Sequence, residues 1–308
     1  MKRLLRPLQP AAFTALQRVL FARGRDVTAE LTGGPLLVIA PHPDDETLGC
    51  GAAIMRTADA GHAVHIVIVC DGRHSHKEAG VPADRMAEIR RGEVLEACRR
   101  MGVPPERVTL LGHEDRHVAA SAREAAEGLE RIVAETNPKV ILAPSGIDAH
   151  PDHRAIHAIV CRLVERGRIK APVYEYPVWF WSPGAWMTLR NSALRRLIQL
   201  ALRPLRTAVR SRPLLVRTDG YLERKRHAMD AFESQMRKNP EHPEWPVLAE
   251  DFLASFFRRY ELFFPLLGAG APAWPRPKDD PYAIQSGGLV WGWPPDASAA
   301  GERGSTTA

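Results

Sequence analysis

Cysteine is scarce in this chain: four residues in 308, Cys50, Cys70, Cys98 and Cys161, widely spread and without a CxxC pair. That excludes a zinc-finger signature and a dense disulfide framework. Each thiol sits in an apolar stretch and reads as buried and free, which points to a cytoplasmic setting. No run reaches the roughly 18 uninterrupted apolar residues of a membrane-spanning helix. Solenoid-type repeats are absent, and so is any helix-turn-helix signature, so nothing recommends nucleic acid as a partner. The opening segment MKRLLRPLQPAAFTALQRVLFARGRD lacks the clean apolar core of a signal peptide, because Pro7, Pro10, Arg18 and Arg23 interrupt it. Leu8, Ala12, Ala15, Leu16, Val19 and Leu20 instead recur at helical spacing and predict an amphipathic helix.

Positive charge is in excess. The net value of +6 comes mostly from arginine and is spread along the chain. Such a balance suits an anionic surface or an acidic substrate, and equally an arginine-rich composition without functional meaning.

Short apolar runs at 36–41 (LLVIAP), 63–70, 108–111, 139–144 and 172–180 alternate with helical patterns at 46–60, 83–101, 121–136 and 151–166. This alternation predicts an α/β fold: a Rossmann-like parallel sheet with helices on both faces. Sites in such sheets lie beyond the carboxyl ends of the strands. Past residue 180 the pattern changes. Residues 189–217 are rich in leucine and arginine and predict one or two amphipathic helices broken at Pro204. Helical patterns return at 221–236 and 247–264, and a Pro/Gly/Ser-rich tail follows, with Trp274, Trp291 and Trp293 as candidate anchors for parts of it. The expected organisation is an N-terminal helix over 1–30, a catalytic domain over 31–180, a mostly helical extension over 181–267 that completes it, and a tail over 268–308.

Two polar clusters fall where the strand-end rule directs attention. Pro41-His42-Pro43-Asp44-Asp45-Glu46 follows the first strand, and Asp148-Ala149-His150-Pro151-Asp152-His153 follows the fourth. His42 and Asp45 are three apart, as are His150 and His153, so each pair can share one face of a helix start. Three histidines and several carboxylates in neighbouring loops suit zinc, whose catalytic sites use three protein ligands and keep a fourth position open. A spare carboxylate and a spare histidine then supply a base and a partner for developing negative charge. Read singly, Asp44 and Asp152 are also ordinary helix caps.

PHPDDE followed about a hundred residues later by HPDH resembles the PIG-L/LmbE-like deacetylases, zinc-dependent enzymes that remove N-acetyl groups from glucosamine-containing compounds. The resemblance covers roughly 35–180, with weaker echoes at 221–264. It implies Zn2+ held by His42, Asp45 and His153, with Asp44 as general base. It further implies that His150 stabilises the tetrahedral intermediate or protonates the leaving amine, and that Asp152 orients it. Arg73 and His74, in the loop after the second strand, are expected to meet sugar hydroxyls. Arg90, three residues before Glu93 on a helix, matches a family arginine that reaches the sugar or a phosphate; an ordinary surface ion pair is the competing reading. Asp115 matches an aspartate in the loop after the third strand, while His113 and His117 depart from the common pattern. Lys225 and Gln235 resemble a segment near the rim.

The expected activity is therefore hydrolysis of an N-acetylglucosamine-type sugar or glycoconjugate. Cleavage of another amide, such as a sugar-amine conjugate, keeps the same metal site. A basic protein that binds membrane or nucleic acid is the reading from a different class. Residues 189–217 are the segment that would touch a membrane, against the simpler reading of a solvated helical insert.

Overall fold

The computed structural model describes residues 9–182, 185–186, 192–242 and 244–266; Trp274, Trp291, Trp293 and the rest of the tail lie outside them. In chain order the main elements are α1 (Gln9–Arg23), β1 (Arg25–Asp26), α2 (Thr28–Thr32), β2 (Leu36–Ala40), α3 (Asp45–Asp59), β3 (Val64–Cys70), α4 (Ala83–Arg100), β4 (Val108–His113), α5 (Ala122–Thr136), β5 (Val140–Pro144), α6 (Pro151–Glu165), β6 (Val173–Tyr176), α7 (Ala193–Arg210), β7 (Leu214–Arg217), α8 (Leu222–Met229) and β8 (Tyr260–Pro265). Their sheet order is β1-β7-β8-β6-β5-β2-β3-β4. All pairings are parallel except those of β8, which runs antiparallel to both β6 and β7.

The alternation of side chains along a strand explains the continuous apolar runs. Leu36, Val38 and Ala40 of β2 enter one core with α3 and α4, while Leu37 and Ile39 enter a second with α5 and α6. Both faces of the sheet's centre are covered, so β2 and β5 are buried along their whole length and carry no polar face. Among the described residues no helix is long and apolar enough to cross a membrane.

Four details differ from the sequence expectation. Pro204 lies inside α7 and does not break it. A proline removes one helical hydrogen bond, but Leu200, Thr207 and Ala208 seat the helix against the body on both sides of it. The pattern over 247–264 holds only a short helix, Glu250–Leu253, before the chain extends into β8. There the buried run Glu261-Leu262-Phe263-Phe264 fills a central strand position, and tertiary pairing overrides helical spacing. Likewise 214–217 is a strand, and 221–236 divides into α8 and a short helix at Glu233–Met236. The extension thus adds two strands to the sheet as well as helices.

Candidate metal centre

β2 delivers Pro41-His42-Pro43-Asp44 to the carboxyl edge of the sheet, and α3 starts at Asp45. Asp44 has φ 128°, a conformation costly for any residue with a Cβ. It is held there from several sides. Its N–H donates to Glu46 Oε2 at 3.1 Å, its carbonyl accepts from Leu48 N at 2.8 Å, and its carboxylate accepts from Arg90 Nη2 at 3.1 Å. Arg90 Nη2 also donates to the Pro43 carbonyl. On the other side β5 leads to His150, the N-cap of α6. Pro151 takes the first helical position, where its missing N–H costs nothing.

The two loops meet. Asp45 Oδ2 lies 3.2 Å from His42 Nδ1 and 3.1 Å from His153 Nε2. The ligand atoms of His42, His150 and His153 all fall within 4.8 Å of one another. His153 is fully buried and its Nδ1 donates to Asp148 Oδ2 at 2.8 Å. Its Nε2, by contrast, makes no well-aligned hydrogen bond, although Asp45 Oδ2 stands 3.1 Å away. A buried ring nitrogen without a well-aligned hydrogen bond is rare. A histidine braced by a carboxylate on one nitrogen, with the other turned toward a second donor oxygen, has the arrangement typical of metal-ligating imidazoles. Zinc's ordinary bond lengths in a tetrahedron separate ligand atoms by about 3.3 Å, close to the two distances at Asp45 Oδ2. The donor set therefore fits a metal. A second possible donor set, His42, Cys70 and Asp152, shares the His42 ring.

Charge distribution follows from this geometry. Burial opposes ionising Asp45, but His153 and His42 hold its carboxyl far below the usual range. Burial pushes Asp44 up to about 6, with Arg90 opposing it. Burial also raises Glu46, to about 7, against a hydrogen bond from Thr47. Burial works against a proton on His153, yet Asp45 and Asp148 carry it to about 9; His42 is likewise raised, by Asp152 and Asp45. His150 is driven down to about 2, first by burial and then by the neighbouring His42 and His153. Its Nδ1 accepts from Asp152 N at 3.3 Å, so the neutral ring keeps its hydrogen on Nε2 as a donor. Asp152 turns mainly to His42 Nε2, at 3.1 Å, and to Arg116 N, at 2.6 Å; it stands 3.7 Å from His150.

The four residues expected at the sugar are arranged unequally. Arg90 is 2% exposed and packs over Gly72, with its Nε and Nη1 lacking partners. It makes no pair with Glu93, which accepts from Ser234 N and Oγ at 2.6 and 2.7 Å. Asp115 is buried and accepts from Gly72 N and His74 N at 2.9 and 3.0 Å, bracing the loop from within. Arg73 clasps Asp71, and His74 donates to Glu114 at 2.5 Å. Lys225 is no rim residue: it is fully buried, donating to Glu261 Oε1 at 2.7 Å and to Leu48 O at 2.8 Å. Gln235 donates to Ser234 Oγ at 3.3 Å.

Sequence reasoning gave Asp148 no role, although it stands five residues before His153 in the same loop. It also missed Trp179, which stacks on His150 at 6.3 Å between centroids and on Phe252 at 4.9 Å. Neither residue repeats the His/Asp spacing that drew attention to the ligands.

Known proteins place these features in context. Residues 37–164 match the family model PIG-L, described as GlcNAc-PI de-N-acetylase. A probable N-acetyl-alpha-D-glucosaminyl L-malate deacetylase 2 of Bacillus cereus is 32% identical over 150 residues, covering 46% of this chain and 64% of that protein. A 1D-myo-inositol 2-acetamido-2-deoxy-alpha-D-glucopyranoside deacetylase of Salinispora arenicola is 29% identical over 177 residues, covering 49% and 57%. The chain thus spans less than two thirds of the length of either relative. Among solved structures, the conserved protein TT1542 of Thermus thermophilus superposes with a TM-score of 0.51 at 25% identity, covering 78% of this chain and 98% of that one.

Proposed function

We propose, for a chain that carries a PIG-L family domain over residues 37–164, that it is a zinc-dependent hydrolase removing the N-acetyl group from an N-acetylglucosamine-type sugar or glycoconjugate. The observation that carries the reading is buried His153, braced by Asp148 at Nδ1, with an Nε2 that makes no well-aligned hydrogen bond and faces the Asp45 oxygen shared with His42. His42, Asp45 and His153 would hold the zinc. Mixed nitrogen and oxygen donors in a three-ligand set suit that ion. Bound there, it supplies Lewis acidity toward an amide carbonyl and makes a neighbouring water more acidic.

The chain's own groups do the rest. Asp44, at about 6, is mostly ionised at neutral pH and still basic enough to take a proton from water. Arg90 fixes its carboxylate and limits its wandering. His150 Nε2–H is the donor available to a carbonyl oxygen as that oxygen gains charge. Once protonated, Asp44 is a proton source for the departing amine. The bare Nε and Nη1 of Arg90 are hydrogen-bond donors still to be satisfied beside Asp44, which supports a contact with a sugar hydroxyl. Arg73, His74 and Asp115 act on such a substrate through the shape of the 71–76 loop. The buried free thiols Cys50, Cys70 and Cys98 favour a cytoplasmic setting.

The test is an amine-release screen over N-acetylglucosamine derivatives, using metal-stripped protein with and without added zinc. Zinc-dependent release of the free amino sugar is expected. Release that survives metal removal would sink the metal assignment, and zinc-dependent release from other amides alone would move the reading to a different bond.

A further inference from the structure

Six large apolar side chains are strongly exposed among the described residues, and all six lie on two helices packed against each other. Five belong to α7: Leu194 at 68%, Ile198 at 48%, Leu202 at 43%, Leu205 at 59% and Val209 at 60%. The sixth is Val19 of α1, whose helix is tied to the end of α7 by Arg23 Nη2 donating to Val209 O at 3.0 Å. The spacing 4, 4, 3, 4 from Leu194 to Val209 puts the five on one stripe roughly 22 Å long. The apolar arc of α7 is therefore wider than the part that Leu200, Thr207 and Ala208 seat against the body.

Beside the stripe, one step around the helix, stand the exposed Arg195 and Arg206. The surrounding segment 189–217 contains eight arginines and no acidic residue, and of these Arg217, beyond α7, pairs with Asp26 at 3.2 Å. A stripe bordered by unopposed positive charge is the pattern of a helix lying in the plane of a membrane surface. A second copy of this chain fits less well, because a two-fold contact would set the same arginines against each other. We infer that α7, with Val19 of α1, docks this protein flat on an anionic lipid bilayer.

The dock is joined to the metal centre. Arg203 Nη1 donates to Trp186 O at 3.3 Å, Trp186 Nε1 to Phe180 O at 2.7 Å, and Phe180 N to Asp148 Oδ1 at 2.9 Å. Asp148 is the brace of His153. The helix and the wall of the site are thus parts of one hydrogen-bonded unit, and docking fixes how the site faces the bilayer.

The experiment is flotation of the full chain with phosphatidylcholine vesicles, with and without phosphatidylglycerol. Wild type should partition at least tenfold more strongly onto the anionic vesicles, since each arginine near such a surface contributes roughly a fivefold factor, and salt should release it. Ile198→Glu with Leu205→Glu should reduce that partition at least tenfold while leaving circular dichroism and metal content unchanged. Arg195→Gln with Arg206→Gln should erase most of the preference for anionic over neutral vesicles. The inference is overturned if wild type stays off anionic vesicles, if it binds neutral ones equally, or if the glutamate variant floats like wild type. It is also overturned if wild type is a dimer that the glutamate variant dissociates without any vesicle binding.

Discussion

Two buried groups of charge lie along α3, and they are built on opposite principles. At its start, Asp44, Asp45, His42 and His153 crowd together with one ring nitrogen lacking a well-aligned hydrogen bond, one strained backbone and one carboxyl pushed to about 6. One to two turns further on, Lys225 and Glu261 meet at 2.7 Å. There Lys225 Nζ also donates to Leu48 O and Phe256 O, and Glu261 also accepts from Ala52 N and Ala53 N. The second group is closed: each charge is answered by protein. The first is open, and its unsatisfied donors are where an outside ion or substrate has something to complete. Burial alone does not separate function from structure; completeness of hydrogen bonding does.

The sharpest way to break this contrast is to remove the base. Asp44→Asn keeps the shape and the Arg90 contact but not the basicity. Turnover should fall by about 10²–10⁴-fold, with zinc content near wild type. Near-normal turnover would mean that the open cluster does not work through Asp44.

Lys225→Met attacks the closed group. Glu261 is left buried without its cation, so unfolding free energy should drop by about 3–5 kcal/mol, read from urea melts. Zinc stoichiometry in the folded fraction should stay unchanged. Loss of metal from well-folded protein would show that the two groups are one.

Asp148→Asn tests the brace. The ring of His153 would keep its place but lose its anionic partner, and zinc affinity should weaken about 10–100-fold. A chelator competition in which the variant holds zinc as tightly as wild type would remove Asp148 from the site.

The open group was largely legible in the sequence and the closed group was not, and the reason is physical. His42, Asp45, His150 and His153 sit just past strand ends, in short loops whose position follows from the strand pattern. Topology alone brings them together. Lys225 and Glu261 come from α8 and β8, and nothing local in KRHAMDAFESQ or YELFFP says that one lysine and one glutamate will be buried face to face. The parallel sheet was likewise visible in its apolar runs. β8 was hidden because its aromatic-rich run continues a helical spacing, and only its insertion between β6 and β7 decides its state. Asp115 and Arg90 matched by position, but whether a carboxylate meets a sugar or a backbone amide depends on the fold of the 71–76 loop.

The smallest effect is a pH dependence whose two halves run in opposite directions. Asp44 must be ionised to act as a base, so activity should fall as pH drops, with an acid limb at or below about 6. A nearby metal cation can only lower that limb. Stability of the metal-stripped protein behaves otherwise. The folded-state pKa of Asp44 lies above the ordinary value of 3.8, so the folded form holds this proton more tightly than the unfolded chain. Asp44 therefore contributes stability that is fully present below the ordinary carboxyl range and is lost as pH rises through about 6. An asparagine side chain is never charged, so Asp44→Asn should gain on wild type in urea melts as pH rises across that window, while wild-type activity rises over the same window. An activity limb above pH 7, or a stability difference independent of pH, would show that the buried carboxyl at the start of α3 is not the poised base that distinguishes the open group from the closed one.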